Sequence, residues 1–537
     1  MNNVIKFNEI LKLAIEKHKK NNLIEAKDLY ERALEINPNA AEVYNNLGMI
    51  YKELGDREKA LSYIEKAIDI NPNIEDAHNI LGLIYKDTGE IEKAEAFFNK
   101  SIEINAKYVP AYLNLGNLFK SLGEIEKSKK YYQDAININP KYFEAYNNLM
   151  DLFERTNQNE KLKEIIVIAE SQFKNNPIIK LFYGFYLYKI QKFNEAIENL
   201  EKIQFNEKQF NRERLRALIL AKCYDKNNDT EKAFFYFKKT NEINYNFKNI
   251  DIDKNITLKV IEKRLNFFRN TEIKKWPIFK PEVLEKNPIL LIGFPRSGTT
   301  LLDTILRNHP SIEVIEEKPI VGNFVISLNK IINENFHNLK NIDEKKIYQM
   351  RKVYFENEQK YIGSRDNSKI YIDKMPLNII HIGEIVRIFP NAKFILSLRH
   401  PCDCVISCFM QSFKLNHAMA NFLDLKDTAN LYDCLMNLWI QYKTNLTVNY
   451  LAVKYEDIVL NFDESVRKIF NFLEVPWSDN VYKFYKTAEK RNLISTPSYD
   501  QVNKPIYSSS IGKWKNYEKK MSNVIPILNP WIKKFNY

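Results

Sequence analysis

The chain has 537 residues, of which 28% are charged and 13% aromatic, and its 80 basic and 68 acidic side chains give a formal net charge of +12. The length allows about two to four domains, and the aromatic content excludes a disordered chain. The positive charge favours an anionic ligand. Most of it is lysine spread over helical segments, without a nucleic-acid-binding motif, so we expect no nucleic-acid partner.

Neither a membrane segment nor a metal site is expected. No run of about eighteen apolar residues occurs, and residues 1–6 lack the apolar core of a secretory signal, so we expect no membrane span and a cytoplasmic protein. Four of the five cysteines fall between Cys402 and Cys434, without a Cys-x-x-Cys pair. On a helix this spacing does not gather four ligands, so we expect reduced thiols and no metal.

The first half of the sequence contains a repeat of 34 residues. Its markers are glycines at Gly48, Gly82 and Gly116 and small residues at Ala26, Ala60 and Ala94. Small residues at fixed positions let the two helices of a hairpin pack closely. The units resemble the tetratricopeptide repeat (TPR), with four regular copies over about residues 7–142 and weaker copies to about residue 246, about seven in all. The resemblance implies an N-terminal all-α TPR solenoid.

The concave surface of such a solenoid is lined by the first helix of each hairpin. Asparagines recur there, at Asn45, Asn46, Asn79, Asn114, Asn147 and Asn148. Because asparagine amides can hydrogen-bond an extended peptide backbone, we expect the groove to bind an acceptor peptide or protein. A purely structural array, which shapes the second domain or forms a homodimer, remains open.

Prolines mark the boundary between two domains. One more amphipathic helix follows the repeats, and Pro277 and Pro281 then end the helical pattern. We therefore divide the chain into a repeat array over residues 1–250, a linker helix over residues 251–285, and a second domain over residues 286–537.

The second domain begins with a predicted anion-binding loop. Residues 288–292 form an apolar run typical of a buried parallel strand, and a helical pattern starts near Thr299. A strand, a glycine-bearing loop and a helix N-terminus together bind phosphate. The spacing from Gly293 to Gly298 matches the nucleoside triphosphate loop, but Thr299 stands where that loop has lysine. This difference favours a nucleotide held without a γ-phosphate and disfavours the alternative of a nucleotide kinase.

Polar residues follow the later predicted strands of this domain. They are Glu316 and Glu317, Asp373 and Lys374, Arg399, and Tyr455. Alternation of strands with helices predicts a parallel sheet, and the carboxyl ends of parallel strands meet at one edge. We expect these side chains to gather with the glycine loop.

These motifs resemble the sulfotransferases that use 3′-phosphoadenosine 5′-phosphosulfate (PAPS), particularly protein-tyrosine sulfotransferases and repeat-fused bacterial enzymes. The matching segments are Pro295–Leu301, Glu316-Glu317, Asp373-Lys374, Phe394–Pro401 with Ser407, and Ser498–Pro505 followed by Gly512-Lys513-Trp514. The resemblance implies a C-terminal α/β P-loop-like sulfotransferase domain with a parallel sheet. Four residues depart from the family pattern: His400, Cys402 and Gln411, which bear on nucleotide affinity, and Lys318, which bears on acceptor choice.

The resemblance also implies residue roles. Glu317 is the expected base, with Glu316 as the open alternative, and Arg296, Lys374 and Ser498 stabilise the leaving phosphate. The other residues expected to bind the nucleotide are Ser297, Gly298, Thr299, Thr300, Arg399, Ser407, Tyr455, Gln501, Lys504 and Lys513. A surface ion pair remains the alternative for Arg399 and Lys374, and a helix-starting carboxylate the alternative for Glu317.

The expected function is transfer of a sulfuryl group from PAPS, as co-substrate and without a metal, to an acceptor hydroxyl. A protein tyrosine recruited by the TPR groove is the leading acceptor. A carbohydrate or lipid hydroxyl is one alternative. The other is a catalytically silent nucleotide-binding scaffold.

Overall fold

The computed structural model describes residues 2–246, 252–269, 273, 286–363, 365–366, 368–485, 506 and 508–537. The chain divides into two compact units, Met1–Ile203 and Gln204–Tyr537. No helix within these described ranges is long and apolar enough to cross a membrane.

The first unit is all-α, and its neighbouring helices pair as antiparallel hairpins of the repeat type. Its helices are α1 (Asn2–Lys19), α2 (Leu23–Ile36), α3 (Ala41–Glu53), α4 (Arg57–Ile70), α5 (Glu75–Asp87), α6 (Ile91–Ile104), α7 (Val109–Ser121), α8 (Ile125–Ile138), α9 (Phe143–Arg155), α10 (Asn159–Gln172), α11 (Pro177–Lys189) and α12 (Phe193–Glu201). The predicted all-α repeat array is confirmed.

Close helix packing explains the recurring glycines. A Cβ atom on Gly48 would lie 2.4 Å from Cδ1 of Ile64, and one on Gly116 would lie 2.4 Å from Cε1 of Tyr132. Both distances are far below van der Waals contact, so any larger residue forces the two helices of a hairpin apart. The glycines therefore recur every 34 residues because the same close contact between two helices is repeated along the array.

A second repeated contact combines two stacked rings and a lysine. Tyr51 stacks on Tyr63 with ring centroids 5.1 Å apart, and Lys59 Nζ lies 5.2 Å from the Tyr51 centroid. The same arrangement recurs one and two units later, at Tyr85, Phe97 and Lys93 and at Phe119, Tyr131 and Lys127. Such cation–π contacts stabilise exposed sites by about 0.5–1 kcal/mol each.

The second unit begins with helices and continues as an α/β domain. Its first helices are α13 (Phe210–Lys226), α14 (Thr230–Asn246) and α15 (Asn255–Phe268). The α13–α14 hairpin repeats the stacked contact of the array, because Tyr224 lies 5.7 Å from Tyr236 and Lys232 lies 4.9 Å from the Tyr224 ring. This repeat-like hairpin thus belongs to the α/β unit. The predicted boundaries at 250 and 285 stay predictions, since residues 247–251, 270–272 and 274–285 lie outside the described residues.

The described part of the second unit contains a five-stranded parallel sheet in the order β2-β3-β1-β4-β5. The strands are β1 (Ile289–Gly293), β2 (Ile312–Glu316), β3 (Ile370–Lys374), β4 (Lys393–Leu398) and β5 (Asn449–Lys454). Strand β1 pairs with β3 through Leu291 and Lys374 and with β4 through Gly293 and Ser397. The predicted parallel sheet is confirmed, and all five strands end at the same edge.

Strands β1, β3 and β4 are buried along nearly their whole length, which in a parallel sheet requires helices packed against it. The helices that follow β1 are α16 (Thr299–Leu306), α17 (Ile320–Ile331), α18 (Glu344–Ile362), α19 (Ile382–Ile388), α20 (Pro401–Phe409), α21 (Leu425–Asn445), α22 (Tyr455–Leu460), α23 (Phe462–Leu473), α24 (Glu518–Met521) and α25 (Ile525–Lys534). Short 3₁₀ helices span Glu207–Gln209, Phe336–Asn341, Pro376–His381, Met419–Leu423, Asp479–Lys483 and Lys513–Tyr517. Leu291, Ile372 and Ile395 form the core beneath the site together with Leu302 and Ile305 of α16.

A buried ion pair fastens α15 to the α/β domain. Arg264 donates through Nε to Glu384 Oε1 at 2.9 Å, and its Nη2 lies 3.1 Å from His381 Nδ1. Burial alone raises the pKa of Glu384, but Arg264 and His381 outweigh it and lower the pKa to about 2. The charges are inaccessible to water, so removing either partner leaves an unpaired charge in the interior.

Candidate active site

The loop after β1 adopts a backbone that requires its glycines. Gly298 has φ +104°, and a Cβ atom there would lie 2.9 Å from Cδ2 of Tyr455. Arg296 also has a left-handed φ of 69° despite its side chain. Such a conformation costs roughly 1–3 kcal/mol and persists where the surroundings hold it, often at functional sites. The backbone thereby turns back at the N-terminus of α16.

Helix α16 directs its N-terminal end at this loop. Gly298 is its N-cap, and Thr299 and Thr300 are its first two residues, both buried. The N-terminal amides and the helix dipole create a local positive potential suited to an anion. Ser297 Oγ is buried and has no hydrogen-bond partner within the described part of the chain. Its carbonyl accepts from Ser397 Oγ at 2.9 Å, which ties the loop to β4.

A fully buried lysine stands at the end of β3 among carboxylates from β2. Lys374 Nζ lies 3.0 Å from Glu317 Oε1 and 3.2 Å from Glu316 Oε1. The Glu317 amide donates to the Lys374 carbonyl at 2.8 Å and prolongs the β2–β3 pairing by one residue. Glu317 has φ 50°, and its side chain is 35% exposed, against 10% for Glu316 and none for Lys374. The Glu317 carboxylate is therefore the one of the two that is more accessible to solvent.

Asp303 joins this lysine to the helix of the glycine loop. Its Oδ2 lies 3.9 Å from Lys374 Nζ, and its Oδ1 accepts from Arg307 Nε at 2.7 Å. Asp303 is completely buried on α16. In the sequence it resembles one half of an ordinary i,i+4 surface pair with Arg307, so its place in the site was not predicted.

Two arginines and a serine form a second group, beside the loop and at the end of β4. Arg399 donates from Nη1 to the Arg296 carbonyl at 3.2 Å, and Arg296 donates from Nε to Ser407 Oγ at 3.0 Å. The Arg399 guanidinium also lies 4.8 Å from the centroid of Tyr455. Arg399 Nε is buried and lacks a hydrogen-bond partner among the described residues.

A segment near the C-terminus covers this second group. Arg399 Nη2 donates to the Ser510 carbonyl at 2.5 Å, and the amides of Gly512 and Trp514 each donate at 2.8 Å to Asp403 on α20. The Trp514 ring stacks on His400 at 5.1 Å, and burial lowers the pKa of His400. Burial and stacking therefore favour the neutral form of the His400 imidazole.

Comparison with known proteins agrees with this geometry. Residues 288–479 match the sulfotransferase family, and residues 41–74, 75–108 and 109–142 match the tetratricopeptide repeat, with a further repeat match over 16–55. The chain combines tetratricopeptide repeats with a sulfotransferase-family domain.

Similar proteins support the same assignment. An uncharacterised protein of Aquifex aeolicus (strain VF5) is 29% identical over 335 residues, which is 59% of this chain and 42% of that protein. Protein-tyrosine sulfotransferase 1 of Danio rerio is 25% identical over 45% of this chain and 71% of its own length. Protein-tyrosine sulfotransferase 2 of Gallus gallus is 27% identical over 47% and 72%. The chain thus spans less than half the length of the Aquifex relative and about seven tenths of the two tyrosine sulfotransferases.

Within the sulfotransferase-family domain, the structure brings most of the predicted site residues to one sheet edge. Glu317 and Lys374 are in contact with each other, and Arg296, Arg399 and Ser407 form the adjacent group. Tyr455 packs under the glycine loop, almost completely buried. Ser498, Gln501 and Lys504 lie outside the described residues. All of the proposed roles stay predictions.

Lys513 has a partner that the sequence did not indicate. Its Nζ lies 2.6 Å from Asp225 Oδ2, on helix α13. Nothing in the sequence marks Asp225, Asp303 or Asp403 as part of a site, because each lies in an ordinary helical pattern. Only the folded chain brings them against matched residues.

The cysteines of α20 are structural parts of the domain. Cys404 and Cys408 are buried, and burial raises the pKa of both thiols. Cys408 Sγ lies 3.4 Å from the Pro295 carbonyl, directly behind the glycine loop. Among the described residues, no group of three His, Cys, Asp or Glu side chains could hold a metal ion.

Proposed function

We propose that this protein transfers a sulfuryl group from PAPS to an acceptor hydroxyl, with Glu317 as the base. The observation that carries the proposal is the buried Lys374, held against Glu317 at 3.0 Å beside the glycine loop. The match of residues 288–479 to the sulfotransferase family supports sulfuryl transfer as the reaction class. The nucleotide donor, the acceptor and the residue roles are parts of this proposal.

In the proposed reaction the acceptor oxygen forms a bond to sulfur while the bond from sulfur to the 5′-phosphate oxygen breaks. Glu317 takes the proton of the acceptor hydroxyl, which its partial exposure allows. Negative charge develops on the departing phosphate, and Lys374 and Arg296 neutralise it together with the loop amides. The protein contributes position and charge, as in phosphoryl transfer.

The residues present fit a nucleotide that carries two phosphate groups. The Thr299 amide and the N-terminus of α16 suit one phosphate, and Ser297 Oγ offers an unused hydroxyl next to them. Arg399 Nε is an unused, buried donor within the second group and suits the other phosphate. Buried donors without partners cost about 1–3 kcal/mol each, a cost that a bound anion removes.

The acceptor in this proposal is a protein tyrosine, recruited by the TPR array. The names of the Danio and Gallus relatives support tyrosine, and the array supports a protein partner. Some of the groove asparagines form hydrogen bonds within the array. Asn45 Nδ2 donates to Asp76 Oδ2 at 2.7 Å, and Asn114 Nδ2 donates to Asn79 Oδ1 at 2.8 Å. Asn45 and Asn79 are buried, so the half-buried asparagines of this set, Asn46, Asn114, Asn147 and Asn148, are the ones that a peptide could contact.

A transfer assay with radiolabelled PAPS tests the proposal. Wild-type protein is offered tyrosine peptides, oligosaccharides and hydroxylated lipids in separate reactions, and labelled product is counted. We expect label on the tyrosine peptides. Label on a sugar or lipid alone would replace the acceptor class, and binding of 3′-phosphoadenosine 5′-phosphate (PAP) without transfer to any acceptor would support the silent scaffold. Transfer of label from ATP in the presence of Mg²⁺ would instead support the alternative of a nucleotide kinase.

A further inference from the structure

The α13–α14 hairpin holds the C-terminal segment that covers Arg399. We define the covering segment as residues 508–521. Both carboxylate oxygens of Asp225 are used in this contact: Oδ2 lies 2.6 Å from Lys513 Nζ, and Oδ1 accepts from the Tyr517 hydroxyl at 2.7 Å. The Asp225 side chain is only 12% exposed. Water therefore competes poorly for these bonds, and the contact is stronger than an ordinary surface pair.

The same hairpin supports the helix that carries Ser407. Asn241 Nδ2 donates to the Phe409 carbonyl at 2.9 Å in the interior, at the last residue of α20. The Phe234 ring stacks on Phe409 with centroids 5.1 Å apart. One helical hairpin thus contacts both the covering segment and the helix beneath it.

The covering segment in turn contacts the second group of the site. Arg399 Nη2 donates to the Ser510 carbonyl. The same nitrogen lies 4.0 Å from Asp403 Oδ2, and that oxygen also accepts from the Gly512 amide at 2.8 Å. A displacement of the segment would remove neighbours of Arg399 on one side. The position of the Arg399 guanidinium therefore depends on where the segment sits.

We propose that Asp225 is a positioning residue for the nucleotide site: it fixes the covering segment so that Arg399 is held ready for the phosphate that distinguishes PAP from AMP. This inference rests on the proposed function for its ligand. It assigns a role in nucleotide selectivity to a helical hairpin that lies outside residues 288–479, the part that matches the sulfotransferase family.

The test compares Asp225→Asn with Glu231→Gln in the full-length protein. The Asp225→Asn change keeps an acceptor oxygen for Tyr517 but removes the charge that pairs with Lys513. Glu231 is a matched control, because it lies on the same hairpin and pairs with Lys520 of the same segment at 2.5 Å, but its side chain is 72% exposed. Affinities for PAP and AMP are measured by calorimetry. Loss of a partly buried charged hydrogen bond predicts about tenfold weaker PAP binding in D225N with AMP binding within about twofold, and no change in E231Q.

Hydrogen exchange of the ligand-free protein gives a second, independent readout. We expect peptides from residues 508–521 to exchange faster in D225N than in wild type or E231Q, with Tyr517→Phe between them because it removes one bond and keeps the ion pair. Unchanged exchange in D225N would overturn the inference, as would equal losses of PAP and AMP affinity. If wild type binds no PAP while D225N exchanges faster, the anchoring contact stands, and the proposed donor and the selectivity role fail together.

Discussion

Lys374 and Glu317 make two contacts with each other: an ion pair of 3.0 Å between their side chains, and a 2.8 Å hydrogen bond from the Glu317 amide to the Lys374 carbonyl. The first contact places a cation against the proposed base. The second fixes the left-handed turn that brings Glu317 out of β2. The proposed base and the proposed charge-stabilising group are therefore one structural unit. Substitution of Glu317 should lower turnover and preserve the shape of the site, whereas substitution of Lys374 should lower both turnover and stability.

Replacing Glu317 by glutamine should remove the proton acceptor and preserve the shape of the site. We expect turnover to fall by about 10²–10⁴-fold, the usual contribution of a general base, with PAP affinity unchanged. Glu316→Gln is the matched control, since Glu316 contacts the same lysine but is only 10% exposed, and we expect less than about a tenfold loss from it. Steady-state sulfation and PAP titration of both variants measure this. A larger loss from Glu316→Gln would reassign the base.

Replacing Lys374 by alanine should affect both catalysis and folding. Turnover should fall by about a hundredfold or more because the departing phosphate loses a cation. Stability should fall by about 3–5 kcal/mol because Asp303 and Glu316 lose a cation that they share in the interior. Urea unfolding and transfer assays measure the two effects. Lys369→Ala serves as control, because Lys369 lies before the start of β3 and pairs with exposed Glu313 at 3.6 Å. A Lys374→Ala protein as active as Lys369→Ala would contradict the role.

The Arg264–Glu384–His381 cluster predicts that acid destabilises the α/β unit. The folded-state pKa of Glu384 is about 2 against an ordinary 4.5, so its stabilisation is complete above pH 4.5 and is lost as the pH falls towards 2. Burial lowers the pKa of His381 below its ordinary 6.5, so protonation below that pH also favours unfolding. Urea unfolding between pH 7.5 and pH 2 should show falling stability, and Glu384→Gln should start lower and lose less between pH 4.5 and pH 2. A stability that rises in acid would contradict this.

The repeat glycines predict a stability loss confined to the array. In Gly116→Ala the new methyl group meets the Tyr132 ring, and overpacking of this kind costs about 1–3 kcal/mol. Gly322→Ala is the contrast, because the new methyl meets nothing within 4 Å and helix propensity favours alanine by about 0.5–1 kcal/mol. Calorimetric melting of both variants measures this. A Gly116→Ala protein that melts like wild type would contradict the close packing.

The repeat array and the parallel sheet could be predicted because both are periodic in the sequence. Gly48 and Gly116 mark a local contact between neighbouring helices, and the apolar strand of Ile289–Gly293 leads directly into its loop. The strand-end positions of Glu317, Lys374 and Arg399 follow from the sheet alone, since parallel strands end together. These features depend on short stretches of chain and on one topological rule.

What could not be predicted depends on contacts between distant segments. Asp225 meets Lys513 across 288 positions, and Arg264 meets Glu384 across 120. Helical patterns reveal that such residues lie on a helix but not which surface they face. Tyr455 shows the same limit: it was predicted to bind the nucleotide, and its ring lies so close to Gly298 that no side chain fits between them. Its role towards a nucleotide stays a prediction.

The most direct test of the account is a single-turnover reaction with PAPS and a tyrosine peptide, followed by mass spectrometry of peptide and nucleotide together. The account predicts that sulfated peptide and PAP appear in equal amounts in wild type, without ATP, and that Glu317→Gln retains bound PAPS and forms both products at least about a hundredfold more slowly. Release of PAP without sulfated acceptor, or equal product from Glu317→Gln, would contradict it.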